Sequence, residues 1–193
     1  PALNFGTFVA GIAAADTDNN EGVAGVSWNC KILPLKIIAK NGEGDYSWLV
    51  EAVIYAADNG AKVISLSLGG PDASDSLRDA LQYAHDKGVV IAAAAGNDGG
   101  PVLYPAAYDD YCLAVAATDY NDVRTSWSNF GPQVDVAAPG DRVLGLVPTW
   151  YWASQGYPNE IPYAYGSGTS ASTPHVAGMA ALIKSAKAWL TAD

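Results

Sequence analysis

Histidine and cysteine are both scarce in this sequence, with two residues of each. Two cysteines cannot build a disulfide framework, and Cys30 and Cys112 show no metal-ligand spacing. Basic residues are also few: ten Lys and Arg stand against twenty Asp and Glu, for a net charge of −10. That sign repels phosphate backbones, which argues against a nucleic-acid surface, and it suits cation binding. No apolar run reaches the length of a bilayer and no segment reads as a signal peptide, so a membrane is not an expected partner. Half of the residues are apolar, enough for one sizeable core, and 1–193 reads as a single domain.

What is present is an alternation of helical and strand periods. Asn4 to Ala15 is small and apolar, as in a buried helix. Lys31 to Ile38 alternates like a strand, with Pro34 marking an edge or an irregular position. From Ser47 to Asn59, Leu49, Val50, Val53, Ile54 and Ala57 fall on one helical face, and Gly60 supplies a stop. Ser74 to Lys87 repeats the pattern, with Leu77, Ala80, Leu81 and Ala84 inward and Gly88 as the stop. Val63–Leu68, Val89–Ala95, Leu113–Ala117 and the run from Val134 read as strands, and Cys112 is expected in an apolar strand as a core residue. Val89–Ala95 is apolar throughout, as expected when helices cover both faces of a parallel sheet. Together these predict an α/β fold: a doubly wound, mostly parallel sheet with its functional edge at the carboxyl ends of the strands.

The most specific stretch is Gly168-Thr-Ser170-Ala-Ser-Thr-Pro174-His175-Val-Ala-Gly178. It predicts a tight turn into a helix, with the Ser170 hydroxyl at the positive N-terminal end, where negative charge is stabilised. Pro174 is expected within the first turn, where N–H groups lack partners anyway. A serine-capped core helix accounts equally well for Gly-Thr-Ser alone. The full string resembles the nucleophile motif of the subtilisin-like serine proteases (subtilases), and other blocks from Asn4 to about Lys184 resemble thermitase-like members in the same order.

That resemblance implies a subtilisin-like sheet and peptide-bond hydrolysis through an acyl-enzyme on Ser170, with the Asn97 side-chain amide donating to the oxyanion. It implies that Ala94, Ala95 and Gly96 line the pocket before the cut, and that Ser67, Leu68 and Gly69 pair with an extended substrate backbone. Gly42, Gly44 and Tyr46 match the loop bordering the cleft, and Glu43 and Asp45 would make that rim acidic; a plain surface turn explains them too. By the same resemblance the loop Asp16–Val23 is a calcium site, using the Asn19 side chain and the carbonyls of Asp16, Glu21 and Val23. Asp135 with the carbonyls of Ala106 and Tyr108 resembles a weaker cation site, or is a structural aspartate at a strand start. The expected ligand is a protein or peptide, and the expected location is extracellular.

The chain departs from the pattern at three places. Phe5 stands where the family has its general-base histidine, and Phe8 replaces a second histidine of the same motif. Phenylalanine neither accepts a proton nor hydrogen-bonds a hydroxyl. The family's segment carrying a central strand and the catalytic aspartate has no counterpart here, nor do its C-terminal helices, so the sheet is expected to be incomplete, with a separate segment filling the gap. Lastly, the stretch between Pro148 and Gly168, with Trp150, Trp152, Tyr157, Tyr163 and Tyr165, is longer than its counterpart by roughly eleven residues. Entering the nucleophile turn directly, it is expected beside the leaving-group side of the cleft or tucked onto its own surface.

Neither histidine replaces the missing base. His175 lies ~7.5 Å along the helix axis from Ser170 and about 140° around it. His85 is on a polar helix face. Two functions therefore stand: an impaired serine endopeptidase, and a pseudoprotease whose cleft binds peptides without cutting them.

Overall fold

The structure, a computed structural model, describes residues 5–39, 41–157, 161–187, 189 and 191–192. It opens with α1 (Phe5–Ala14), followed by α2 (Tyr46–Asp58), β1 (Val63–Leu66), α3 (Asp75–Asp86) and β2 (Val90–Ala94). Then come β3 (Leu113–Thr118), β4 (Val134–Pro139), β5 (Val143–Leu146), α4 (Trp150–Ser154), β6 (Tyr163–Gly166) and α5 (Thr169–Ala186). Strands β1 to β4 form a parallel sheet in chain order, and β5 pairs antiparallel with β6.

Helices cover both faces of the parallel sheet. Along β2, alternate side chains point to opposite sides: Ile91 and Ala93 join the core under α2 and α3, whereas Ala92 joins Val115, Ala138 and Ala177 of α5. This is why β2 reads as an unbroken apolar run. The α3 helix buries the four expected residues, Leu77, Ala80, Leu81 and Ala84, with Ser74 capping its N-terminus through the Leu77 amide. In α2 the buried face is Leu49, Val53, Ala56 and Ala57; Ile54, expected inward, is 37% exposed.

Several expectations need correction. Lys31 to Ile38 is not a strand: only Ile38 makes a single bridge, with Gly44, and Ile32, Leu33 and Leu35 are exposed. A strand needs a neighbour for its N–H and C=O groups, and β1, at the end of the sheet, pairs only with β2 among the described residues. Cys112 lies one position before β3 rather than within it; it is buried, and burial pushes its thiol up to about 12. Both cysteines are free thiols. Pro174 is fully buried in the interior of α5, not in its first turn. The backbone bond from its missing N–H is therefore a real loss.

The aromatic segment closes as a hairpin. The ends of β5 and β6 that carry it, Leu146 and Tyr163, lie against Gly11 and Gly22, while Gly166 leads into the nucleophile turn. Strand β6, which carries Tyr163 and Tyr165 of this segment, joins it to that turn. Within the segment, Trp152 Nε1 donates to the Tyr163 carbonyl at 3.0 Å, and α4 buries no residue. Phe8 sits beneath the hairpin with Ile12 and Ala171; Gly145 and Gly166 lie so close to its ring that a Cβ on either would come within 2.8 Å of it.

Candidate active site

The carboxyl ends of β1 and β2 and the N-terminus of α5 enclose a cavity of about 180 Å³. Its lining includes the expected Ser67, Leu68, Gly69, Ala94, Gly96, Asn97 and Ser170, joined by Asp98, Leu103 and Thr169. Ala95 does not line it. Its side chain is fully buried in the core under α2 and α3, because it alternates with Ala94 along the extended chain.

Ser170 is the second residue of α5, after Gly168 and Thr169. Gly168 has φ 152°, and a Cβ built there would lie 2.8 Å from Ser170 Oγ and 3.6 Å from Asn97 Nδ2. The hydroxyl and the amide nitrogen therefore face one small volume. The turn is held to the sheet by Gly168 N donating to the Gly140 carbonyl at 2.8 Å and by Ser172 Oγ donating to the Ala138 carbonyl at 2.9 Å.

Asn97 is oriented by its other atom. Its Oδ1 accepts from Thr169 N at 2.8 Å and Thr169 Oγ1 at 3.0 Å, while that hydroxyl accepts from Gly96 N at 3.1 Å. With the oxygen so engaged, the nitrogen is the end left for the cavity. The loop bearing Asn97 is itself stitched by Asn129, whose Oδ1 accepts from Asp98 N and Gly100 N and whose Nδ2 donates to the carbonyls of Ala95 and Pro101. Asn129 is 1% exposed, so the side chain that makes these bonds is itself withdrawn from water. Thr169 and Asn129 carry no periodic signal in the sequence, and their use shows only when distant segments meet.

Among the described residues, no imidazole lines the cavity. His175 Nδ1 is bonded to the Ala171 carbonyl at 2.9 Å, and burial holds its pKa below the usual histidine value. His85 is on α3, edge-on to Tyr111 at 5.9 Å between ring centroids. Phe5 begins α1 and is 38% exposed, whereas Phe8 is a core residue.

The other predicted residues fall nearby or apart. Gly44 bridges Ile38, and Gly42 has φ 87° in the intervening turn. Tyr46 donates from its hydroxyl to the Asp72 carbonyl at 2.6 Å, tying this turn to the chain beyond Gly70; burial raises its pKa. Beside it, Asp45 is held below the usual carboxylate range by the Ser47 hydroxyl and amide. Residues Asp16 to Ala24 line a separate, open surface cavity of about 260 Å³, and the Asn19 Oδ1 accepts from Glu21 N at 3.0 Å. Asp135 Oδ2 accepts from Ala114 N at 2.7 Å, the strand-start use. Tyr108 exchanges bonds with Ser74 N and O through its hydroxyl. Ala106 is fully buried.

Fold and cavity together define an α/β scaffold that presents a serine hydroxyl at a helix N-terminus beside an asparagine side chain. A family model described as the subtilase family matches residues 2–193. The chain is 46% identical over 181 residues to thermitase of Thermoactinomyces vulgaris, covering 93% of this chain and 61% of that protein. It is 45% identical over 183 residues to a thermophilic serine proteinase of Bacillus sp. (strain AK1), covering 94% and 43%. Among solved structures, a protease of Pseudoalteromonas arctica superposes with a TM-score of 0.89 at 37% identity, covering 98% of this chain and 60% of that one. The chain belongs to the subtilase family. It spans 43% and 61% of the length of the two relatives named.

Proposed function

We propose that this chain carries the nucleophile and oxyanion half of a serine endopeptidase site acting on proteins or peptides. Ser170 Oγ would attack the peptide carbonyl carbon, and Asn97 Nδ2 and the N-terminus of α5 would stabilise the oxyanion. The observation that carries this reading is the proximity of Ser170 Oγ and Asn97 Nδ2, both within 3.6 Å of one position beside Gly168 and both residues lining one cavity, with Asn97 held from behind by Thr169. The same site needs a base to take the serine proton, and Phe5 cannot be one. In subtilisin, removing the serine or the histidine lowers turnover by about 2 × 10⁶. The chain alone is therefore expected to be impaired. The test is a fluorophosphonate probe on the unaltered chain, beside Phe5→His supplied with a strand-and-aspartate segment and assayed on casein. Little labelling of the first and restored cleavage by the second are expected; rapid labelling of Ser170 in the unaltered chain would overturn the impairment.

A second reading, a pseudoprotease that holds peptides without cutting them, is favoured by Phe5 itself, since a substitution leaves the cleft walls at Ser67–Gly69 in place.

Three features belong to the same proposal. A separate segment would pair with the open edge of β1 and cover Ile32, Leu33 and Leu35, which are exposed and pair with no described strand. Calcium would be held at the loop 16–23 by the Asn19 side chain and the carbonyls of Asp16, Glu21 and Val23. That donor set is all oxygen, and the carboxylates of Asp16, Asp18 and Glu21 add negative charge, which fits a hard cation. Asp135, engaged with Ala114, is the weaker cation candidate. An extracellular location accompanies the subtilase reading.

A further inference from the structure

The Ser170 carbonyl, inside the first turn of α5, would ordinarily accept from the N–H four residues on. That residue is Pro174, which has no N–H, and its ring crowds the same carbonyl. The helix that follows is buried at Ala171, Ser172, Thr173 and Pro174, and Ser170 itself is half-buried, so water has restricted access to that carbonyl. The partner the carbonyl has instead is the Ser67 hydroxyl, which donates to it at 2.8 Å across 103 residues of sequence. Ser67 directly follows β1 and lines the cavity with Leu68 and Gly69.

We propose that Ser67 is a positioning residue for Ser170, its side chain replacing the donor that Pro174 removes and so locking the nucleophile-bearing turn to the cleft wall. This rests on the serine-nucleophile reading above and extends it. The proline keeps the first turn of α5 from closing its own bond at Ser170. The carbonyl is then free to be held from the strand end, and the helix backbone at the nucleophile is set by the wall that a peptide would line. A hydrogen bond of ordinary net strength corresponds to about a tenfold effect on what it positions.

The test pairs two ligands with four proteins: the wild-type chain, Ser67→Ala, Ser67→Thr and the double variant Ser67→Ala/Pro174→Ala. The ligands are a peptide boronic acid, which engages Ser170 Oγ, and the carboxamide of the same peptide, which only fills the cleft. Serine labelled with ¹³C at the carbonyl reports the Ser170 resonance directly. Ser67→Ala is expected to move that resonance upfield and to weaken the boronate more than the amide, lowering the boronate-to-amide affinity ratio about tenfold. Ser67→Thr keeps a hydroxyl and should match wild type. In the double variant the alanine N–H replaces the lost donor, so resonance and ratio should both return. A Ser170 resonance unmoved in Ser67→Ala, a parallel loss of both ligands, or no recovery with Pro174→Ala would overturn the proposal. Should the boronate bind wild type no better than the amide, the nucleophile reading fails, and the carbonyl resonance still decides the Ser67 link.

Discussion

Thr169 holds Asn97 by its carbonyl oxygen through two donors, the backbone N at 2.8 Å and Oγ1 at 3.0 Å, although 72 residues separate them. The amide nitrogen of Asn97 is oriented as a consequence. Thr169→Val keeps the shape and removes the hydroxyl, leaving Gly96 N buried without an acceptor. Stability should fall by about 1 to 3 kcal/mol, read from urea unfolding; a loss below the error of the measurement would mean that the hydroxyl is idle.

Asn129 should cost more. Its side chain makes four bonds to the loop from Ala95 to Pro101 and is fully buried. Asn129→Ala removes the acceptor of the Asp98 and Gly100 amides and the donor to the Pro101 carbonyl, while the Ala95 carbonyl keeps its bond from Leu103 N, and a destabilisation of about 3 kcal/mol is expected. Hydrogen exchange should quicken first at Asp98 and Gly100, the amides that lose their acceptor.

The two phenylalanines of α1 should separate cleanly by calorimetry. Phe8 is packed against Ile12, Ala171 and the hairpin glycines, so Phe8→Ala is expected to cost about 3 to 5 kcal/mol. Phe5, 38% exposed, should tolerate alanine within about 0.5 kcal/mol. Equal losses at the two sites would contradict this division between core and surface.

Burial lowers the His175 pKa in the folded chain, so the unfolded chain binds its proton first as pH falls. The stability this preserves is complete above the unfolded value near 6.5 and is lost as pH drops toward the folded value. Thermal midpoints should therefore decline below about pH 6.5, with a slope from this group of at most about 1.4 kcal/mol per pH unit. His175→Gln should flatten that part of the curve, and an unchanged slope would assign it to other groups.

Calcium added at a hundredfold excess over its dissociation constant should raise stability by about 2.7 kcal/mol if the loop 16–23 binds it. Asn19→Ala should remove most of that gain while leaving the midpoint in chelator almost unchanged. An equal response of both proteins to calcium would exclude the loop.

Much of this was legible in the chain itself, for reasons of period and turn chemistry. Helices α2 and α3 follow from apolar spacing and from Gly60 and Gly88, and β2 follows from an unbroken apolar run that only a sheet covered on both faces permits. The turn into α5, with its serine at the helix N-terminus, follows from Gly168 and the small residues after it. Lys31–Ile38 shows the limit: its alternation is that of a strand, but alternation only prepares a segment for a partner, and β1 offers it none here. Pro174 shows another, since its cost depended on how many helical residues precede it and on a serine far away that absorbs it. Local preferences act between near neighbours and can be read in order. The orientation of Asn97, the clamp of Asn129 and the bond from Ser67 to Ser170 join residues far apart in sequence, so only the tertiary structure could decide them.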